Sequence, residues 1–297
     1  MSTPRFLELP PGVRRTDIAT ARGTIAALQA MPTSGGCELQ AAVLVPGYTG
    51  SKEDFLAILQ TLAQAGRPVI AIDLPGQYQS PGLERVGDYT RAALGQVIGE
   101  LIAALGHGPV HLLGHSFGGL LARETVLANE APLLSLTMMS SGPSGIEGVR
   151  AGDARRLVAA LGPEPTRDRV REVWTEHLDE PARASGVPEE IHAFLRERML
   201  ANDPEGLVRM AEELLTAPDR TTELTAVADL PKLVLYGEND DAWPPEVQAT
   251  MAKYLGAERV VIPGAAHSPN VEAPETTARA LTEFWTQAET PDRTGDL

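Results

Sequence analysis

The run Val110-His111-Leu112-Leu113-Gly114-His115-Ser116-Phe117-Gly118-Gly119 sets a serine among glycines, between an apolar stretch and the helix-forming Leu120 to Leu127. That pattern reads as strand, sharp turn, helix. Such a turn forces its apex residue into strained backbone angles, which only glycine neighbours permit. It also pushes the apex hydroxyl clear of the sheet, at a helix N-terminus that favours developing negative charge. A serine hydroxyl is a poor nucleophile near neutral pH, so it needs a base within hydrogen-bond reach and a third group to orient that base. His267, in Pro263-Gly264-Ala265-Ala266-His267-Ser268-Pro269, follows directly on an apolar β-type run. Asp240, in Tyr236-Gly237-Glu238-Asn239-Asp240-Asp241, follows directly on the run before that one. All three groups can therefore meet at one edge of a sheet. The matching chemistry is attack on a carbonyl, whose oxyanion requires two preorganised N–H donors. The Phe117 N–H, next after the serine, is the first of these.

The elements that must position these residues alternate. Strands are predicted at Thr24–Met31, Leu39–Val45, Val69–Asp73, the nucleophile run, Leu133–Met139, Leu233–Tyr236 and Arg259–Ile262. Between them lie a helix after Ser51, where Asp54 completes a capping-box-like start, one from about Val86 to Leu105, one at Pro245–Tyr254 and a last one at about Thr276–Trp285. The tail from Glu289 to Leu297 is expected to fray. This alternation predicts an α/β fold with a mainly parallel central sheet flanked by helices. From about Pro143 to Glu223 no strand is evident, and the segments are Arg- and Glu-rich and helical. Such an excursion is too long for a loop and predicts a helical insertion over the sheet's C-terminal edge. The expected organisation is core at 1–142, helical cap or lid at 143–223, and core again at 224–297.

Five motifs in this order make the resemblance specific: Val45-Pro46-Gly47-Tyr48, Asp73-Leu74-Pro75-Gly76, Gly114-His115-Ser116-Phe117-Gly118-Gly119, Gly237-Glu238-Asn239-Asp240 and Gly264-Ala265-Ala266-His267. Over nearly its whole length the chain resembles the α/β-hydrolase fold superfamily, in its serine-nucleophile form with a helical cap. The resemblance implies Ser116 as nucleophile, His267 as general base and then acid, and Asp240 as orienting carboxylate. Gly237, Asp240 and Pro244 fit the family's spacing around the acid, with Asp241 the alternative. It also implies the Tyr48 N–H as the second oxyanion donor. Two departures stand out: Pro46 replaces a histidine common at that loop, and Gln77 replaces one common after Leu-Pro-Gly. The Tyr48 side chain, Trp174 and Phe194 are candidates to line an acyl pocket. The implied activity is hydrolysis of a carboxylic ester, thioester or lactone through an acyl-enzyme. Acyl transfer, cyclisation or carbon–carbon bond hydrolysis on the same triad are the alternatives.

Composition limits the rest. With 43% hydrophobic and 22% charged residues among 297, the chain can bury a full core, and its net charge of −15 argues against nucleic acid as a partner. The single cysteine, Cys37, excludes an intrachain disulfide and a cysteine-based metal site. No two of the six histidines have metal-ligand spacing on a helix face, and Gly118-Gly119 lacks the context of a nucleotide loop. No metal or cofactor is therefore expected. The N-terminus has no signal-peptide pattern and no apolar run approaches the roughly 20 residues of a membrane span. The expectation is a cytoplasmic monomer or homodimer acting on a small acyl substrate, with no membrane partner.

Overall fold

A computed structural model describes residues 2–290. The chain opens with β1 (Val13–Thr20) and β2 (Gly23–Ala30), continues through β3 (Ala42–Val45), α1 (Leu56–Gln64), β4 (Val69–Ile72) and α2 (Arg91–Leu105), and reaches β5 (Val110–His115), α3 (Phe117–Ala128) and β6 (Leu133–Met139). Helices α4 (Gly148–Leu161), α5 (Arg167–Val173), α6 (Asp179–Ala184), α7 (Glu189–Ala201), α8 (Pro204–Leu215) and α9 (Thr221–Thr225) follow, with one π-helical turn at Trp174–Leu178. The alternation then resumes with β7 (Lys232–Gly237), α10 (Pro245–Leu255), β8 (Glu258–Ile262), α11 (Pro269–Glu272) and α12 (Pro274–Glu289).

The eight strands form one sheet in the order β1-β2-β4-β3-β5-β6-β7-β8, in which β2 pairs antiparallel with both β1 and β4 and all other neighbours are parallel. Strands β3 and β4 are buried at every position, as their unbroken apolar runs require of strands covered on both faces, and β5 is buried throughout although it carries His111 and His115. One face packs α2, α3 and α10 through Leu94, Ile98, Leu120 and Met251; the other packs α1 and α12 through Ile58, Leu59, Leu281 and Trp285. The helices between β6 and β7 hold an apolar cluster of their own, including Val170, Trp174, Phe194, Leu195 and Leu207. No helix among the described residues is long and apolar enough to cross a membrane.

Four expectations shift. Strand β1 is absent from the predicted strands: its sequence VRRTDIAT is polar because it forms an exposed edge, paired only with β2 among the described residues. The strand predicted from Leu39 begins at Ala42, because Leu39 bonds through its N–H to Gly66 in a loop. The helix expected from Val86 is a 3-10 turn at Val86–Tyr89, followed by an α-helix capped by the Thr90 hydroxyl, which accepts from the Ala93 N–H. Finally, α12 runs on to Glu289, whose carboxylate takes bonds from Arg67 and lies 2.9 Å from His111 Nε2, so this residue is anchored rather than frayed. The rest of the predicted tail, 291–297, lies outside the described residues.

Candidate active site

Strand β5 ends at His115 and α3 begins at Phe117, so Ser116 is the whole turn. Its φ of 55° and ψ of −121° are strained for a residue with a side chain. The glycines make the turn possible: a Cβ on Gly114 would run into the Gly118 carbonyl, and one on Gly118 into the backbone of Val45 and Pro46. The Ser116 N–H bonds to Met139 O, pinning the turn to the neighbouring strand. Only 8% of Ser116 is exposed.

Ser116 Oγ lies 3.0 Å from His267 Nε2, and His267 Nδ1 lies 2.9 Å from Asp240 Oδ1. A carboxylate only accepts, so Nδ1 carries the proton and Nε2 is left to accept from the serine hydroxyl. His267 and Asp240 sit in the loops after β8 and β7, at the same sheet edge as the elbow. Asp240 also accepts from the Ala242 N–H and from Gln248 Nε2, each at 2.9 Å. Burial alone would raise its carboxyl, but the hydrogen bonds and nearby charge, His267 foremost, outweigh it and hold Asp240 below the usual carboxylate range. Asp241 makes no hydrogen bond to His267: it is exposed and pairs with Arg150 at 2.9 Å.

Three supporting groups escaped the sequence reading. Gln248 grips Asp240 from α10, eight residues on, where nothing in the sequence marks it. Glu272 accepts from the Ala266 and Ser268 N–H groups, bracing the His267 loop from both sides. His115, at the end of β5, donates through Nε2 to the His267 carbonyl at 2.8 Å. Burial, then the neighbouring His267, lower its pKa to about 3, so it stays neutral beside the triad.

Gly47 passes against Ser116: a Cβ there would sit 3.0 Å from Ser116 Cβ. The two candidate oxyanion donors, Tyr48 N–H and Phe117 N–H, have no acceptor among the described residues. The Tyr48 hydroxyl donates to Leu207 O of α8 at 2.9 Å, linking this loop to the helical insertion. Phe194 packs edge-to-face on Tyr78, while Trp174, 1% exposed, donates its indole N–H to Asp179. Both belong to the insertion's own apolar cluster together with Tyr48 and Tyr78. Of the other histidines, His192 bonds to Asp179 at 2.9 Å, and His177 faces Glu176 at the surface. Asp240, Asp241 and His267 bring ligand-type atoms within 4.8 Å of one another, but these atoms already serve the triad and the Arg150 pair. A cleft of about 770 Å³ between α9 and α10 is lined by Thr221, Thr225, Glu246, Thr250 and Tyr254 and by no triad residue.

Residues 42–280 match the model of the alpha/beta hydrolase family. The chain is 27% identical over 243 residues to the dihydrolipoyllysine-residue acetyltransferase component of the acetoin cleaving system of Pseudomonas putida. That match covers 82% of this chain and 62% of the other, so this chain spans less than two thirds of that relative. It is 28% identical over 265 residues to the pimeloyl-(acyl-carrier protein) methyl ester esterase of Aeromonas hydrophila, with 82% and 94% covered. Among solved structures it is similar to a thermophilic esterase from Thermogutta terrifontis, with a TM-score of 0.70, 25% identity, and 93% of this chain and 100% of that one covered.

Proposed function

The chain belongs to the alpha/beta hydrolase family, and from that premise we propose that it is a serine hydrolase of carboxylic esters, thioesters or lactones. Ser116 Oγ attacks the acyl carbonyl while its proton passes to His267 Nε2. Asp240 holds the imidazole in the receptive tautomer and stabilises the imidazolium that forms. The carbonyl oxygen becomes an oxyanion held by the Phe117 and Tyr48 N–H groups; one such donor contributes roughly 3 to 4 kcal/mol. Collapse expels the alcohol or thiol, which takes the proton from His267. Water, deprotonated by the same nitrogen, then cleaves the acyl-enzyme and restores Ser116. No cofactor enters these steps.

The observation that carries this reading is the continuous chain Ser116 Oγ to His267 Nε2 at 3.0 Å and His267 Nδ1 to Asp240 Oδ1 at 2.9 Å. The esterase names of the relatives point the same way. Residues 143–223 act as a cap, and Tyr48 and Phe194 border the acyl pocket beneath it; Trp174, buried within the insertion's own cluster, packs the cap rather than lining that pocket. The test is a panel of p-nitrophenyl esters, from acetate to long acyl chains, with wild type and Ser116→Ala. Turnover that vanishes in the mutant is expected, and its chain-length profile sizes the pocket. Folded wild type that hydrolyses none of them would sink the general-esterase reading.

A second reading is acyl transfer to an acceptor other than water. It is favoured by the acetyltransferase name of one relative. Adding an alcohol or thiol acceptor to the same assay separates the two, because transfer yields acylated acceptor in place of free acid.

A further inference from the structure

We infer that Gln77 is the positioning residue of the oxyanion loop, an assignment that rests on the serine-hydrolase reading above. The loop Pro46–Gly50 supplies Tyr48 N–H, yet it begins with a proline that has neither an N–H nor a polar side chain to hold it. What holds it comes from outside. Gln77, with none of its surface exposed, accepts the Thr49 N–H at 2.7 Å through Oε1. Through Nε2 it donates to Gly47 O at 3.1 Å and to Gly50 O at 3.3 Å. The bond to Gly47 O matters most. That carbonyl and the Tyr48 N–H belong to one planar trans peptide unit, so they point in opposite directions. Gripping the oxygen therefore aims the N–H, and the Gly50 N–H adds a second bond to the same oxygen at 3.0 Å. Gly47 lies against Ser116, which places the aimed N–H at the nucleophile's side of the loop.

The remaining contacts fit this role. Thr49 holds a φ of 58°, a left-handed conformation unfavourable for a β-branched residue, and its N–H is the one Gln77 captures. Gln77 itself rides on a rigid base. Its N–H bonds to Leu74 O, the Gln79 N–H bonds to the Asp73 carboxylate, and Ser80 Oγ donates to Asp73 O at the end of β4. A donor group fixed in this way needs no rearrangement as charge develops in the transition state.

The test compares wild type with Gln77→Glu, Gln77→Ala and Gln77→His in two assays: p-nitrophenyl ester turnover, and the rate at which a p-nitrophenyl phosphonate modifies Ser116, followed by mass. Gln77→Glu keeps the shape and the acceptor for Thr49 but sets a carboxylate against two carbonyls. It is expected to lower kcat about 10- to 100-fold, below the full loss of a donor, with KM within about threefold. Phosphonate modification should slow in parallel. The pH midpoint of the His267-dependent limb should stay in place. Gln77→His, whose ring N–H can still donate to Gly47 O, is expected to recover part of what Gln77→Ala loses. Gln77→Glu decides the matter if Gln77→Ala does not fold. Wild type that reacts while folded Gln77 variants react equally fast would overturn this role alone, as would a lowered Tm with kcat untouched. Wild type inert to both phosphonate and esters would overturn the nucleophile assignment, and this role with it.

Discussion

At Asp240 every neighbour is a donor. His267 Nδ1–H, the Ala242 N–H and Gln248 Nε2 together use both carboxylate oxygens, so an amide placed there must turn its NH2 group against a donor. Asp240→Asn is therefore expected to leave the fold in place while favouring the wrong imidazole tautomer, lowering kcat by about 10⁴-fold. Asp241→Asn removes only an exposed pair with Arg150, worth at most about 1 kcal/mol, and should leave kcat within about twofold. Steady-state kinetics of both variants on the same ester settle the assignment of the acid, and equal losses would refute it. This choice was legible in the sequence through the spacing of Gly237, Asp240 and Pro244. The supporting groups were not. Gln248 and Glu272 act through contacts that exist only once helix α10 and the His267 loop are folded together, and their residue types are ordinary surface types; Gln77 stood out only as a departure from the family pattern, without its partners.

Among the elements, the seam between insertion and core is held by polar contacts as well as apolar ones. Arg198 on α7 and Asp54 in the Lys52–Phe55 turn pair at 2.7 Å with both side chains almost fully buried, and Arg198 also donates to Ser2 O. Burial pushes the Asp54 carboxyl up despite the arginine, so removing the arginine leaves a costly group behind. Arg198→Met is expected to destabilise by about 3 to 5 kcal/mol, and adding Asp54→Leu should recover much of that loss. Denaturant titrations of the single and double variants measure it, and additive losses would contradict the pairing argument. The Tyr48 hydroxyl on Leu207 O joins the oxyanion loop to α8. Tyr48→Phe removes that bond but not the Tyr48 N–H. It should cost about 1 kcal/mol of stability and raise KM several-fold, with kcat within about threefold; a large fall in kcat would show that the seam also sets the oxyanion donor. Element type was readable where burial is two-sided and the run is short and wholly apolar, as in β3 and β4. It failed at β1, where an edge strand of VRRTDIAT carries no apolar alternation, and at Val86–Thr90, where a cap interrupts what periodicity alone reads as one helix.

For the molecule as a whole, the packing of the sheet's two faces ties stability to pH through histidines it buries uncharged. His111 lies on β5 beneath α12, stacked on Trp285, with Ser135 Oγ at 2.8 Å from Nδ1 and Glu289 at 2.9 Å from Nε2, and with Arg67 paired to the same carboxylate. Burial foremost, and the Arg67 charge, lower its pKa to about 4 even though Glu289 pulls the other way. His115 is lowered further, to about 3. In the unfolded chain both titrate near 6.5. Between that value and 4 the unfolded state binds protons that the folded state does not, so stability rises with pH across this window and is lost on acidification. Each histidine contributes up to about 1.4 kcal/mol per pH unit to that slope. Glu289 adds to the loss at the acid end. Burial would raise its carboxyl, but the bonds from His111 and Arg67 prevail and hold it below its ordinary value. The sign is therefore the same for all three groups. Denaturant unfolding at pH 7, 6, 5 and 4.5 should show wild-type stability falling steadily. His111→Gln, less stable at pH 7, should lose it with a slope shallower by about one proton, as should His115→Gln. A slope unchanged in both variants would mean that these histidines are charged in the folded protein, against the burial that the sheet and α12 impose.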